Sequence, residues 1–327
     1  MIELKVIYNN ANISAEINKN LLRYSFTDNA SGCADDLQLT LEDTKSLWSG
    51  SWLPAKGSNL KAWLSDSSYT LPIGSFSVDE VEINGPPSTV SIKGVSVPTG
   101  SSIWDEYKTQ VWEETQLSVI AHEIAVNSKL KLFYDTTYDP MYDRLDQNNE
   151  TDISFLMRLC NNAGLCLKVS SGQVIVFDSS KYEAMPCIAT IAKTGSNVIS
   201  YNARSSTRGI YSAVRVEYEG TGEPIIYEYT PPNAPNTGRT LVINDRVTDL
   251  AEAEILAKNK LRIANMAESV FTLTKVLDIR LVAGVNVSLS GWGKFDGKYF
   301  VSSVNHTAGV SGHTTRLTLQ KVMVGYK

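Results

Sequence analysis

The chain has 327 residues, with 30 Lys and Arg against 35 Asp and Glu and a formal net charge of −5. That length allows two or three domains with sizeable cores. The mildly acidic balance has no basic stripe, which argues against a sequence-reading nucleic-acid binder, and no apolar run approaches the ~18 residues of a membrane span.

The opening MIELKVIYNN alternates apolar and polar residues and has no basic or apolar leader region. No secretory signal is expected, and synthesis in a cytoplasm is. Residues 1–98 are predicted to be β. Ile2, Leu4, Val6 and Tyr8 alternate along one strand face, as do Leu22, Tyr24 and Phe26, and then Leu37, Leu39 and Leu41. Asp35 and Asp36 precede the last of these strands, where charge would discourage edge pairing. Trp48 and Trp52 then sit on a loop of small residues closed by Pro54. They form either the loop's own small core or a contact for a neighbouring chain. Gly85 to Ser88 (GPPS) reads as a hairpin turn.

The pattern changes at Pro98. Leu117, Ile120, Ala121 and Ile124 follow helical spacing, and so do Ile153, Leu156, Leu159 and Ala163. Thr151 is a candidate N-cap, Gly164 a natural C′ residue, and Glu150 and Asp152 suit the positive helix start. LCLKV and VIVFD around SSGQ make a hairpin. Residues 99–186 are therefore predicted to be an inserted α/β module.

Residues 187–327 return to β. SAVRVEYEG and IIYEYT flank a Gly220-Thr221-Gly222 turn, and one helix is predicted over 249–266, with Leu250, Ala253, Ala257, Leu261 and Ala264 as its apolar stripe. That stripe is expected against the outer side of a sheet. Gly284-x-Asn286-Val287 matches Gly57-x-Asn59-Leu60. Gly297-x-Tyr299-x-Val301-x-x-Val304 matches Gly74-x-Phe76-x-Val78-x-x-Val81 with the same spacing. Each is followed by a further alternating strand. Gly-bounded strands look alike in many β proteins, but two matches in the same order predict one β unit used twice. Phe76 and Tyr299 should then be equivalent.

No catalytic constellation stands out. His122-Glu123 starts like HExxH, but Val126 occupies the position of the second His. His306 and His313 flank a hairpin turn and suit packing there. Asp35-Asp36 and Glu113-Glu114 are sequence neighbours, which point to opposite faces of a strand and so read as solvated rather than as a paired acid and base. Gly220-x-Gly222 lacks the remainder of a dinucleotide fingerprint. Cys33, Cys160, Cys166 and Cys187 form no CxxC motif and read as buried free thiols. Catalytic, cofactor-binding and metal-binding residues are accordingly predicted to be none.

Several stretches together resemble the late control protein D family of phage baseplate hubs, which includes the hub part of VgrG-type proteins. They are Ala34 to Leu39, Gly74-Ser75-Phe76, and Gln147-Asn148-Asn149-Glu150-Thr151-Asp152-Ile153-Ser154-Phe155-Leu156, the most specific. Toward the C-terminus they are Gly291, Phe295 to Val301, Val304-x-His306 and Gly312-His313-Thr314-Thr315. Arg204 to Tyr211 match nothing in that pattern. Unlike VgrG, no OB-fold, β-helix spike or effector region is expected after Lys327, and no lysozyme module is expected either. The resemblance implies two tube-like β-barrels, residues 1–98 and 187–327, around the α/β module. It implies a homotrimer of six barrels, in a virion tail baseplate or phage-like particle, joining a sixfold tail tube to a trimeric spike. Partners would be the spike, the tube protein and other baseplate proteins, the tape measure protein among them. Sequence-specific nucleic-acid binding and membrane insertion are not expected. Within the same class stand a secretion-apparatus or bacteriocin hub; outside it, a β-rich glycan-binding adhesin or a tail-associated cell-wall hydrolase.

Overall fold

The computed structural model describes residues 3–66, 68–98, 100–219, 223–309, 312–323 and 325–326. Ile2, Thr99, the Gly220-Thr221-Gly222 turn and Val310-Ser311 lie outside the described residues. The first part of the chain forms β1 (Glu3–Tyr8), β2 (Ala11–Asn12), α1 (Ser14–Asn20), β3 (Leu21–Asn29), β4 (Asp36–Glu42), β5 (Asn59–Ser65), β6 (Thr70–Asn84) and β7 (Thr89–Val95). The strands run in the order β3-β4-β7-β6-β5-β1-β2. Alternation sets the buried face: Leu37, Leu39 and Leu41 are all buried, as are Leu4 and Val6. Leu4 and Val6 lie far from Tyr24 and Phe26 in the strand order, yet all four share one core. The sheet must therefore curl around its apolar face.

Two expectations for this part need correction. Leu22 is exposed because the β3–β4 register skips it, between Leu21 and Arg23, so the bulge turns it away from the core. Asp35 and Asp36 guard no edge, since β4 is paired on both sides, and Asp35 is buried rather than solvated.

The middle part forms α2 (Ser102–Asp105), β8 (Tyr107–Gln116), α3 (Leu117–Asn127), β9 (Lys131–Asp135), β10 (Met141–Thr151), α4 (Asp152–Ala163), β11 (Cys166–Ser170), β12 (Gln173–Phe177) and α5 (Ser179–Ala184). Both predicted helices bury the faces read from their spacing, and α4 buries Phe155 as well. Thr151 caps α4 by accepting from the Ser154 amide at 3.3 Å, and Gly164 ends it at φ 69°. The helices cover a three-stranded sheet, β11-β12-β9, beside the separate β8–β10 ribbon.

The last part forms β13 (Cys187–Ala192), β14 (Val198–Ser205), β15 (Ala213–Tyr218), β16 (Ile225–Tyr229), β17 (Thr240–Ile243), α6 (Leu250–Asn265), β18 (Ser269–Val276), β19 (Asn286–Ser290), β20 (Gly297–Gly309) and β21 (Gly312–Lys321). The order β14-β18-β21-β20-β19-β13 repeats β3-β4-β7-β6-β5-β1. The duplication extends to detail. Leu60 pairs with Phe76 as Val287 pairs with Tyr299, and the bulge at Asp79 in β6 recurs at Ser302 in β20. Gly57 donates to the Val78 carbonyl at 2.8 Å, and Gly284 to that of Val301 at 2.9 Å. The outer strands differ, β1 being antiparallel to β5 and β13 parallel to β19. Both copies belong to one 13-stranded sheet.

Between β14 and β18 the second copy carries an insertion. Helix α6 packs on the small β16-β15-β17 sheet with a core of its own, not on the outer side of the large sheet. Its buried stripe is rotated from the predicted one. Ala253, Leu256, Ala257 and Leu261 are buried, whereas Leu250 is exposed next to the Asp249 cap.

Candidate assembly interface

The two copies meet where the long β20 passes beyond β19. Its C-terminal half, Ser303 to Ala308, pairs antiparallel with Asn29 to Tyr24 of β3. The bulge at Ser302 bends β20 as it changes neighbour. On the apolar face, His306 stacks on Phe26 with ring centroids 6.2 Å apart. Its Nε2 lies 3.0 Å from the Leu281 carbonyl, which can only accept, so Nε2 carries the proton. Nδ1 then accepts from the Thr315 hydroxyl at 3.0 Å. Burial holds the imidazole pKa down to about 4. His306 is thus a neutral structural group at the seam rather than a turn residue. On the other face, Asn305 donates to Ser25 Oγ at 2.9 Å and Thr27 Oγ1 at 3.0 Å.

Three parts of the chain converge on Asp28. One of its oxygens takes Lys168 Nζ of β11 at 2.7 Å, and the other accepts from the Ala283 amide at 2.8 Å. Lys168 also reaches Asp35 at 3.0 Å, and Ser170 donates to Asp35 at 2.8 Å. Burial disfavours the Lys168 cation, but the two carboxylates outweigh it and raise the pKa. A second buried pair, Arg262 with Glu183, ties α6 to α5. Sequence reading missed both clusters. Lys168 and Asp28 are 140 residues apart, and no spacing announces their contact.

Of the predicted interface pair, Trp48 lies in the first core, its amide donating to Asp43 Oδ1 at 2.9 Å. Trp52 is exposed and meets Trp48 edge-on at 5.3 Å. Tyr8, Ile13, Leu53 and Pro54 complete an apolar hollow around them. His122 is exposed on α3, and His313 is exposed on β21. All four cysteines are free, but only Cys160 is fully buried and Cys33 is exposed, which corrects the expectation of four buried thiols. Among the described residues, no three His, Cys, Asp or Glu gather to hold a metal ion. No helix of the described residues is long and apolar enough to cross a membrane.

The fold described above is shared with tail proteins of known structure. The tail protein from Neisseria meningitidis MC58 superposes with a TM-score of 0.77 at 15% identity, covering 99% of this chain and 98% of that one. The c3393 protein of E. coli, described as a component of the type VI secretion system, gives 0.61 at 12% identity over 94% of this chain and 76% of its own. The phage tail baseplate hub (GPD) family matches residues 105–312, and the chain belongs to that family. A probable baseplate hub protein of Escherichia phage 186 is 26% identical over 220 residues, 66% of this chain and 56% of that relative, so the match spans little more than half of it.

Proposed function

We propose that the chain is a structural hub that assembles as a homotrimeric ring and adapts a sixfold tail tube to a threefold spike. The observation that carries this reading is the repeat. Two copies with the same strand order, the same β6/β20 bulge and the same glycine-anchored turns let three chains present six similar units. Four cores among the described residues support a division at 1–98, 99–186 and 187–327, with β15–β17 and α6 an elaboration of the last unit. In the ring, the α/β module would stand outside the wall. The exposed Trp52, next to exposed Leu53, would meet a neighbouring baseplate protein. A scaffold of this kind needs no turnover, cofactor or metal. The same geometry serves a phage tail, a bacteriocin particle or a secretion apparatus.

The test is co-expression with the cognate spike and weighing of the complex by light scattering. A 3:3 complex is expected, and a stable 1:1 or 6:3 complex would overturn the adaptor. In the same preparation, Trp52→Ala should leave this complex intact while reducing capture of further baseplate proteins.

A further inference from the structure

The repeat leaves one pairing unmade. In the second copy, the half of β20 beyond the bulge is covered by β3 of the first copy. The equivalent half of β6, from Glu80 to Asn84, pairs with β7 on one side and with no described strand on the other. The equivalent of β3 is β14, which among the described strands pairs only with β18. One chain thus carries both halves of a second seam, at the two ends of its repeat, and does not join them itself.

We propose that β6 of one chain pairs antiparallel with β14 of a second copy, reproducing between chains the β20–β3 seam within each. The partner is another copy of this chain, and the register follows from the bulges. Asp79 matches Ser302, so Glu82 stands for Asn305 and Ile83 for His306. The β3 bulge at Leu22 recurs in β14 at Ile199, so Ala203 stands for Phe26 and Arg204 for Thr27. The observed pairs Asn305–Thr27 and His306–Phe26 become Glu82–Arg204 and Ile83–Ala203. Val81 and Asn84 then lie opposite Ser205 and Asn202.

The chemistry of the two edges agrees with this register. Where the internal seam has an amide hydrogen-bonded to a hydroxyl, the outer one has a carboxylate facing a guanidinium. Both are exposed, and neither takes part in an ion pair among the described residues. Where the internal seam buries an aromatic stack, the outer one has Ile83, which is 54% exposed, beside Ala203. Ile199 and Tyr201 on β14 are also exposed. An open strand edge with exposed apolar residues invites pairing with another chain. Because the two edges differ, the contact is head-to-tail and generates a ring when its rotation closes. The inference rests on the hub reading only for the number of copies.

The test uses the whole chain with exposed Cys33→Ser. Directly opposite residues in an antiparallel pair have Cα atoms about 4.5–5.5 Å apart, within disulfide reach, whereas partners displaced by two lie at about 7–8 Å. Purified Glu82→Cys mixed with Arg204→Cys at high concentration should give a cross-linked dimer on oxidation. Glu80→Cys mixed with Arg204→Cys should not. A chain carrying both Glu82→Cys and Arg204→Cys should give a ladder. Cross-linking no better than in the displaced pair overturns the proposal. A ladder that closes at three supports it together with the trimer. One that stops at two or runs past three supports the strand pairing and overturns the three-copy ring. As a check free of cysteine chemistry, Glu82→Arg should shift the chain toward monomer in sedimentation, and adding Arg204→Glu should restore association. Failure of the swap to restore it overturns the register.

Discussion

His306 is buried with both ring nitrogens committed, so its protonation is coupled to folding. Its ordinary pKa of 6.5 falls to about 4 in the folded chain because burial disfavours the cation. Between those values the unfolded chain binds more protons, and stability rises with pH across the window. The contribution is fully present above pH 6.5 and is lost as pH falls toward 4. A shift of that size corresponds to about 3 kcal/mol. Denaturant titrations should therefore show the chain weakening between pH 6.5 and 4, and His306→Gln should lack most of that slope. An unchanged slope in the variant would assign the effect to other groups. Sequence alone placed His306 beside a hairpin turn, because a neighbour contributed by β3 has no local signature.

At the scale of elements, the glycine-anchored strands were legible and their bends were not. Alternation identified β4 and helical spacing identified α3 and α4, since each pattern is written within a few residues. The repeat was legible because Gly74 and Gly297 are held at φ 115° and 128°, which side-chain-bearing residues rarely adopt, so the same residue recurs at the same place. The bulge that exposes Leu22 and the insertion that takes α6 away from the main sheet depend on distant partners, and periodicity does not report them. The seam was hidden for the same reason. Gly74→Ala tests the first point: besides the backbone strain, its Cβ would stand 3.1 Å from Ser171 Oγ of the neighbouring module. A loss of about 1–3 kcal/mol is expected in chemical denaturation, with Gly297→Ala behaving alike in the other copy. A neutral outcome at both sites would mean the strand start tolerates an ordinary backbone.

At the scale of the whole molecule, the question is which of the four cores unfold together. The two repeats share more than the β3–β20 ladder: Ile279 and Ala308 from the second half sit in the first core. They should melt as one unit. The α/β module is held to them differently, in large part through polar links, among them Asn286 of β19 donating to the Tyr182 and Met185 carbonyls. Gly32 donates to the Leu167 carbonyl at 3.0 Å, Ser96 Oγ to that of Val169 at 2.9 Å, and Lys168 reaches Asp28 and Asp35. The Lys168 cluster is charged and largely buried, while the Arg262–Glu183 pair holds the module to α6 of the insertion rather than to the repeats. Lys168→Met preserves much of the side chain's volume but leaves two carboxylates without their cation, a change that typically costs about 3–5 kcal/mol when a buried pair is broken. The damage falls on the docking surface and not on either core. Calorimetry of the wild type should therefore give one main transition for the repeats and module together. Lys168→Met should split it, with the module melting separately while the repeats, freed of it, keep a cooperative transition of their own. If the variant instead melts in a single transition displaced to lower temperature, the module is an integral part of the sheet's cooperative unit.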